Sequence, residues 1–284
     1  MGIVSRASTA AGVGSTRAGR RRKPSTFWRV RDEIPRRLEV ILIAVSIVTP
    51  LALWALLHEL HAFNPIFLPS PVETAKAGWD LARAGDLSRD TSASVSRVFI
   101  GFGISLLISI PLGLGMGSFR SIRALFEPMI GLIRYAPATA FTPLFLIWLG
   151  IGEAPKIGLV FFGTVFFNTL MIANAVWGVP PELIKVSQTL GAGSASIFRK
   201  VIFPYSIPGV IDAARVNMAA AWNLIVVAEL IAADNGLGRR IVSAQKFLHV
   251  DQIFFVIIVI GVLGVVFDYT LRTLRNRVSP WARE

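Results

Sequence analysis

Few side chains in this sequence could do chemistry, and their spacing excludes most of it. Two of the three histidines, His58 and His61, lie in the run HELH. A zinc-protease motif sets its histidines four residues apart, so that both fall on one helical face. Here they are three apart at the end of an apolar run, and no metal site is expected. With so few histidines no Ser-His-Asp set can be favoured, and the absence of cysteine removes thiolate ligands, disulfides and a Cys nucleophile. The dipeptide Gly-Lys never occurs, so the chain has no G-x-x-x-x-G-K-[ST] phosphate loop, and any ATP must be bound by a partner. No catalytic residue and no cofactor are expected.

What remains is a set of polar residues inside apolar runs: Arg134, Asn168, Asn174, Asn217 and Asn223. Such groups are costly in lipid and face protein or water. Arg134, Asn168, Asn217 and Asn223 are the candidates for a polar path, and Arg134 would suit an anion. Six-residue steps from Asn168 to Asn174 and from Asn217 to Asn223 put each pair on different helix faces, so not all can line one path. Ordinary interhelical hydrogen bonding is the competing expectation for the asparagines, and snorkelling to the membrane edge for Arg134. Glu229 is expected near the outer surface, meeting a partner, snorkelling or pairing with a neighbouring helix.

The elements that carry these residues are membrane helices. Only 16% of the 284 residues are charged and 54% are hydrophobic, against about 25% charged in soluble domains. A helix needs about 20 apolar residues to cross the hydrocarbon core. That length criterion gives six spans, near 38–58, 92–118, 125–150, 157–178, 208–232 and 252–271. The first is longer than the apolar core of a signal peptide and lacks a small-residue cleavage site, so it reads as a retained span. Ten of the 29 Lys and Arg lie in residues 1–37, a basic arm expected to be disordered and to face anionic lipid rather than nucleic acid. With the N-terminus inside, the cytoplasmic segments hold 19 Lys and Arg against 7 outside, so both termini are expected in the cytoplasm.

Between the spans, residues 61–91 form an external segment in which Val72 to Ala84 suits a short amphipathic helix. In the second span Gly101, Ser105, Ser109, Gly113 and Gly117 recur every four residues. This is a stripe of small side chains that lets another helix approach closely, and core packing is the favoured explanation.

The segment 179–207 breaks the apolar pattern. Pro180 and Pro181 suit a helix start and Gly191 the position past its end. Leu183, Val186 and Leu190 give the helix one apolar face. Ser194 is a plausible N-cap for a second short helix that Pro204 closes. A mere connection could be a few residues long, whereas helix, glycine turn and helix together are shaped to dock.

In this segment the chain resembles the permease subunits of bacterial binding-protein-dependent ABC importers, whose cytoplasmic loop reads E-A-A-x3-G-x9-I-x-L-P. Gly191 is followed by nine residues and then Val201, Ile202, Phe203 and Pro204. The glycine-to-proline spacing matches, while Lys185, Val186 and Ser187 replace the acidic residue and both alanines. The stretches FLPSPVET, LFLIWLGIGEAPKI and VVAELIAADNGLG are similar to the nitrate/sulfonate/taurine branch, and the resemblance covers about residues 65–275.

It implies an all-α polytopic membrane protein of the type I importer-permease fold, with five core helices plus one N-terminal helix. The implied organisation is a basic arm (1–37), an N-terminal transmembrane helix (38–60), the external segment (61–91) and a permease core (92–284). The implied partners are a separate ATP-binding subunit, an extracytoplasmic solute-binding protein, a second permease and membrane lipid, in a bacterial inner membrane. The resemblance assigns ATPase-subunit docking to Lys185, Gly191, Ala192, Ser194, Phe198, Arg199 and Pro204, with Phe198 as the inserting knob. An ion-coupled secondary transporter and a non-transport membrane scaffold are the alternatives.

Overall fold

The computed structural model describes Phe27 and residues 34–282, so the basic arm expected over 1–37 lies almost wholly outside the described residues. The chain divides into two units, Met1–Leu53 and Trp54–Glu284. Helix α1 (Arg36–Glu59) begins in the first and none of its residues is buried.

In the second unit, α2 (Pro71–Arg83) is the expected amphipathic helix. It starts at a reciprocal cap in which Glu73 N donates to Ser70 Oγ and Ser70 N to the Glu73 carboxylate, so two otherwise orphaned amides are satisfied. The long helices α3 (Asp86–Ser118), α6 (Ala154–Trp177), α9 (Phe203–Ala232) and α11 (Val250–Val278) pack in the order α3, α6, α9, α11. Their core is built from Val98, Phe102, Leu159, Val160, Trp222, Ile225 and Val256. Among the described residues no strand occurs.

The third span differs from expectation. Instead of one helix over 125–150, α4 (Arg120–Ile133) stops at Arg134, and the chain resumes as a 3₁₀ turn (Ala138–Phe141) running into α5 (Thr142–Leu149). The two halves are bent by 81°. The cause is Pro137, which pushes the preceding residue out of the α region. Five described helices are long and apolar enough to cross a membrane, and the broken pair makes a sixth.

The small-residue stripe of α3 is the seam with α6. Gly101, Ser105, Ser109, Gly113 and Gly117 are all buried. Ser109 Oγ donates to Val165 O at 2.9 Å. A Cβ at Gly113 would lie 2.7 Å from Ile172 Cβ and 2.8 Å from Thr169 O, too close for α6 to stay in place. Gly113→Leu is therefore expected to wedge the two helices apart and destabilise the fold by about 1–3 kcal/mol, the usual scale of overpacking. A lowered melting temperature of the detergent-purified protein checks this, whereas Gly103→Leu, where nothing lies within 4 Å, should melt as the parent does.

Candidate functional site

Three polar features interrupt the helical core. The first is the loop over 179–207. Helix α7 (Pro181–Thr189) starts on its proline and ends at Gly191, whose φ of +78° is left-handed backbone. That conformation costs a side-chain-bearing residue about 1–2 kcal/mol and glycine almost nothing. The amides of Gly191 and Ala192 donate back to Gln188 O and Ser187 O at 2.9 and 3.0 Å, closing the helix end. Ile184 packs inward beside Val179 and Ile202. Leu183, Val186 and Leu190 are left 43%, 59% and 81% exposed.

Two local expectations are corrected here. Ser194 does not cap the second helix: the N-cap is Gly193, without a side-chain bond, and Ser194 is the first helical residue of α8 (Ser194–Ile197). Pro204 does not close it either. The chain passes through a π turn (Phe198–Ile202) and continues as α9, with Pro204 in the first turn. A proline lacks the amide and crowds the carbonyl four residues earlier, and the wider i→i+5 turn before it relieves both. Phe198, expected as a knob, is half-buried between Phe119 and Phe203, with ring centroids 6.4 and 6.5 Å away. Lys185, Arg199 and Lys200 are exposed.

The second feature is the break in the third span. Arg134 ends α4, its guanidinium lies 4.5 Å from the centre of the Tyr135 ring, and Nη2 donates to Tyr135 Oη at 2.9 Å. Both residues line a cavity of about 180 Å³ with Pro137, Phe162, Gly163 and Phe166. Arg134 is not joined by the asparagines predicted alongside it. Asn168 and Asn217 are buried between helices, where Asn217 Nδ2 donates to Asn168 Oδ1 at 2.7 Å and Asn168 Nδ2 to Ser105 Oγ at 3.0 Å. This chain of amides ties α3, α6 and α9 together, which is the hydrogen-bonding alternative. Asn174 and Asn223 are exposed, as the six-residue steps require, and Asn223 donates to Ala219 O within its own helix.

The third feature lies at the far end of α9 from the loop. Glu229, fully buried, accepts from Arg97 Nη1 at 2.7 Å, Ser94 Oγ at 2.8 Å and Gly238 N at 2.9 Å. Arg97 also pairs with Glu153 and donates to the backbone and side-chain oxygens of Asn235. Lys156 Nζ reaches the same Glu153 carboxylate at 3.0 Å. Asp90, one helical turn before Ser94, accepts from Gly236 N at 3.0 Å and Arg240 Nε at 2.7 Å.

A buried ion pair persists only when its remaining donors and acceptors are satisfied, and here three helices and the NGLG turn into α10 (Leu237–Lys246) supply them. The turn closes because Gly236 (φ +117°) and Gly238 lack Cβ atoms. At Gly236 one would fall 2.5 Å from the Glu229 carboxyl carbon. In the connection between α5 and α6, the Arg97 hydrogen bond pulls the Glu153 carboxyl down to about 2, with help from Lys156 and against some burial. Reading the sequence found Glu229 but missed its partners. The available signal was Asp90, Ser94 and Arg97 at i, i+4 and i+7, one polar face on an otherwise apolar helix.

Comparison with known proteins agrees with this architecture. The family model described as "Binding-protein-dependent transport system inner membrane component" matches residues 109–282. A probable ABC transporter permease protein of Brucella melitensis is 36% identical over 224 residues, 79% of this chain and 91% of its own. The taurine transport system permease protein of Escherichia coli is 32% identical over 262 residues, 90% and 95% of the two chains. Permeases named for aliphatic sulfonates and for nitrate import align as well. The inward-facing MetNI methionine ABC transporter has a TM-score of 0.61 over 68% of this chain and 95% of that one, at 19% identity, a likeness of fold. With its helix-turn-helix loop and interrupted bundle, the chain belongs to the binding-protein-dependent transport system inner membrane components, the permease subunits of ABC importers.

Proposed function

We propose that two copies of this chain form the membrane path of an importer for a small organic or inorganic anion, powered by a separate ATPase. The likeness to permeases named for taurine, sulfonates and nitrate supports that substrate class. The loop of α7 and α8 faces the cytoplasm with both termini and seats in a groove of the ATPase. The opposite end, with the Arg97–Glu229 network, faces the solute-binding protein. ATP drives transport only through the difference in its affinity for the two states, and the loop is the element through which that difference reaches the bundle. Arg134 and Asn223 are the pathway candidates.

The observation that carries this reading is the exposed row Leu183, Val186 and Leu190 on a helix ended by a left-handed glycine. Within the docking set, Gly191 and Ala192 form the turn, Ser194 and Pro204 start the helices beyond it, and Lys185 and Arg199 meet acidic residues at the groove rim. Phe198 acts from inside, fixing the loop to Phe119.

Val186→Glu and Leu190→Glu, at exposed positions, are expected to change the permease's own stability by less than about 0.5 kcal/mol. They should weaken retention of the ATPase subunit about tenfold or more, as loss of an apolar anchor does. Co-purification of the tagged complex, followed by ATP hydrolysis with and without the solute-binding protein, measures both. Full retention and full stimulation in the double variant would overturn the docking surface. Uptake that needs no ATPase at all would favour an ion-coupled transporter.

A further inference from the structure

Arg134 is the cation in the bundle whose position is hardest to explain by packing. Arg97 is matched by Glu229 and Glu153, and Arg215 by Asp212 and Asp268. Arg134 makes no ion pair with any described residue. Its Nε is buried without a hydrogen-bond partner, and only Nη2 is engaged, by a tyrosine hydroxyl. A buried donor left unmade costs about 1–3 kcal/mol, more when charged.

Its level along the bundle adds to the cost. The cavity wall on the other side is Phe162, Gly163, Phe166 and Phe167, the middle of the 24-residue α6. A guanidinium level with the middle of a span-length helix lies far from either of that helix's ends. Intramembrane cations face a cavity or a partner and mark the route of an ion.

We infer that the break between α4 and α5 is a binding site for a small oxyanion, held by the Arg134 guanidinium and the Tyr135 hydroxyl level with the middle of α6. This rests on the importer reading and adds that the permease itself, not only the solute-binding protein, reads the charge of the substrate. The planar guanidinium offers paired donors that match a sulfonate or nitrate edge, and Nε is free to be one of them. The cavity of about 180 Å³ holds a handful of heavy atoms, since a water occupies about 30 Å³ of the liquid. Phe162 and Phe166 form an apolar wall behind the guanidinium, while Tyr135, 77% exposed, stands at the open side where an anion could enter. The 81° bend supplies the opening, because a continuous helix would fill the space that Tyr135 to Pro137 leave.

The test uses the permease with its ATPase subunit in lipid nanodiscs, without the solute-binding protein, and trifluoromethanesulfonate as probe. Fluorine NMR line broadening is expected with the parent complex and should be displaced by nitrate and ethanesulfonate but not by choline. Arg134→Gln should weaken binding about tenfold or more, the scale of a lost charge-assisted contact. Arg134→Lys should keep a weaker, salt-sensitive signal. Trifluoroethanol, neutral and of similar size, should show no broadening that depends on Arg134.

Equal broadening in the parent and Arg134→Gln would overturn the site, as would failure of nitrate and ethanesulfonate to displace the probe from the parent. The displacement arm needs no variant and holds even where Arg134→Gln does not assemble. Failure of the importer reading looks different: no ATPase subunit is retained, whatever the fluorine signal does.

Discussion

Replacing Arg97 by methionine is expected to be the most damaging single change in the bundle, at about 3–5 kcal/mol, the range for removing one partner of a buried ion pair. The side chain is not merely lost. Glu229 stays fully buried on α9 with Ser94 and the Gly238 amide as its remaining partners, and no other cation among the described residues pairs with it. Asn235 loses the donor that fixes its backbone and side-chain oxygens, so the NGLG turn loosens with it.

Melting of the purified protein, read by fluorescence-detected size exclusion, measures the loss. Glu229→Gln in the same chain should restore part of it, because it removes the uncompensated charge. The double variant should therefore be less destabilised than the two single losses added together. A melting temperature for Arg97→Met close to that of the parent would show that the network contributes nothing to the fold.

Gly191→Val should abolish uptake while leaving the protein in the membrane at normal abundance. The position is open, with nothing within 4 Å of a would-be Cβ, so no core contact is broken. The cost is purely conformational, since valine at φ +78° is strained by about 1–2 kcal/mol. The turn escapes that strain by changing the angle between α7 and α8, which displaces the exposed row Leu183, Val186 and Leu190, proposed above to dock, relative to the bundle. Gly191→Asn separates geometry from composition, because asparagine tolerates left-handed backbone and should keep most of the activity. Uptake and ATP hydrolysis in proteoliposomes measure both variants. Normal transport by the valine variant would remove the turn from the mechanism.

Much of the fold was legible because bilayer thickness imposes a length on every span, and apolar runs of that length can be counted. The α7 turn was legible for a similar reason, since proline and glycine fix backbone angles locally. The α3 stripe needed only helical periodicity, and its glycines do meet α6. The break at Arg134 was readable in principle from Pro137, but an apolar run on both sides disguised it as one span. Ser194 and Gly193 both suit an N-cap, and only backbone angles decide between them. The polar face of Asp90, Ser94 and Arg97 was legible, but not the carboxylate it meets: Arg97 and Glu229 are 132 positions apart, and no local pattern records which distant carboxylate a buried arginine meets. The same is true of Asn168 and Asn217, whose residue type announces a polar bond but not its direction.

The π turn at Phe198–Ile202 bears on how far-apart residues keep their register. Because of it, the helical path from Ser194 to Ile231 is unbroken over 38 residues, about 57 Å at the α-helical rise. Its near end adjoins the Gly191 elbow and its far end carries Glu229. A π turn takes up roughly one more residue than an α turn, so it acts as a spacer that keeps the two ends in phase. One residue removed elsewhere along this shaft would spin everything beyond it by about 100°, turning the carboxylate away from Arg97. The Gly191 elbow and the carboxylate cluster around Glu229 thus sit at opposite ends of a single shaft, cut to a length the sequence cannot freely alter.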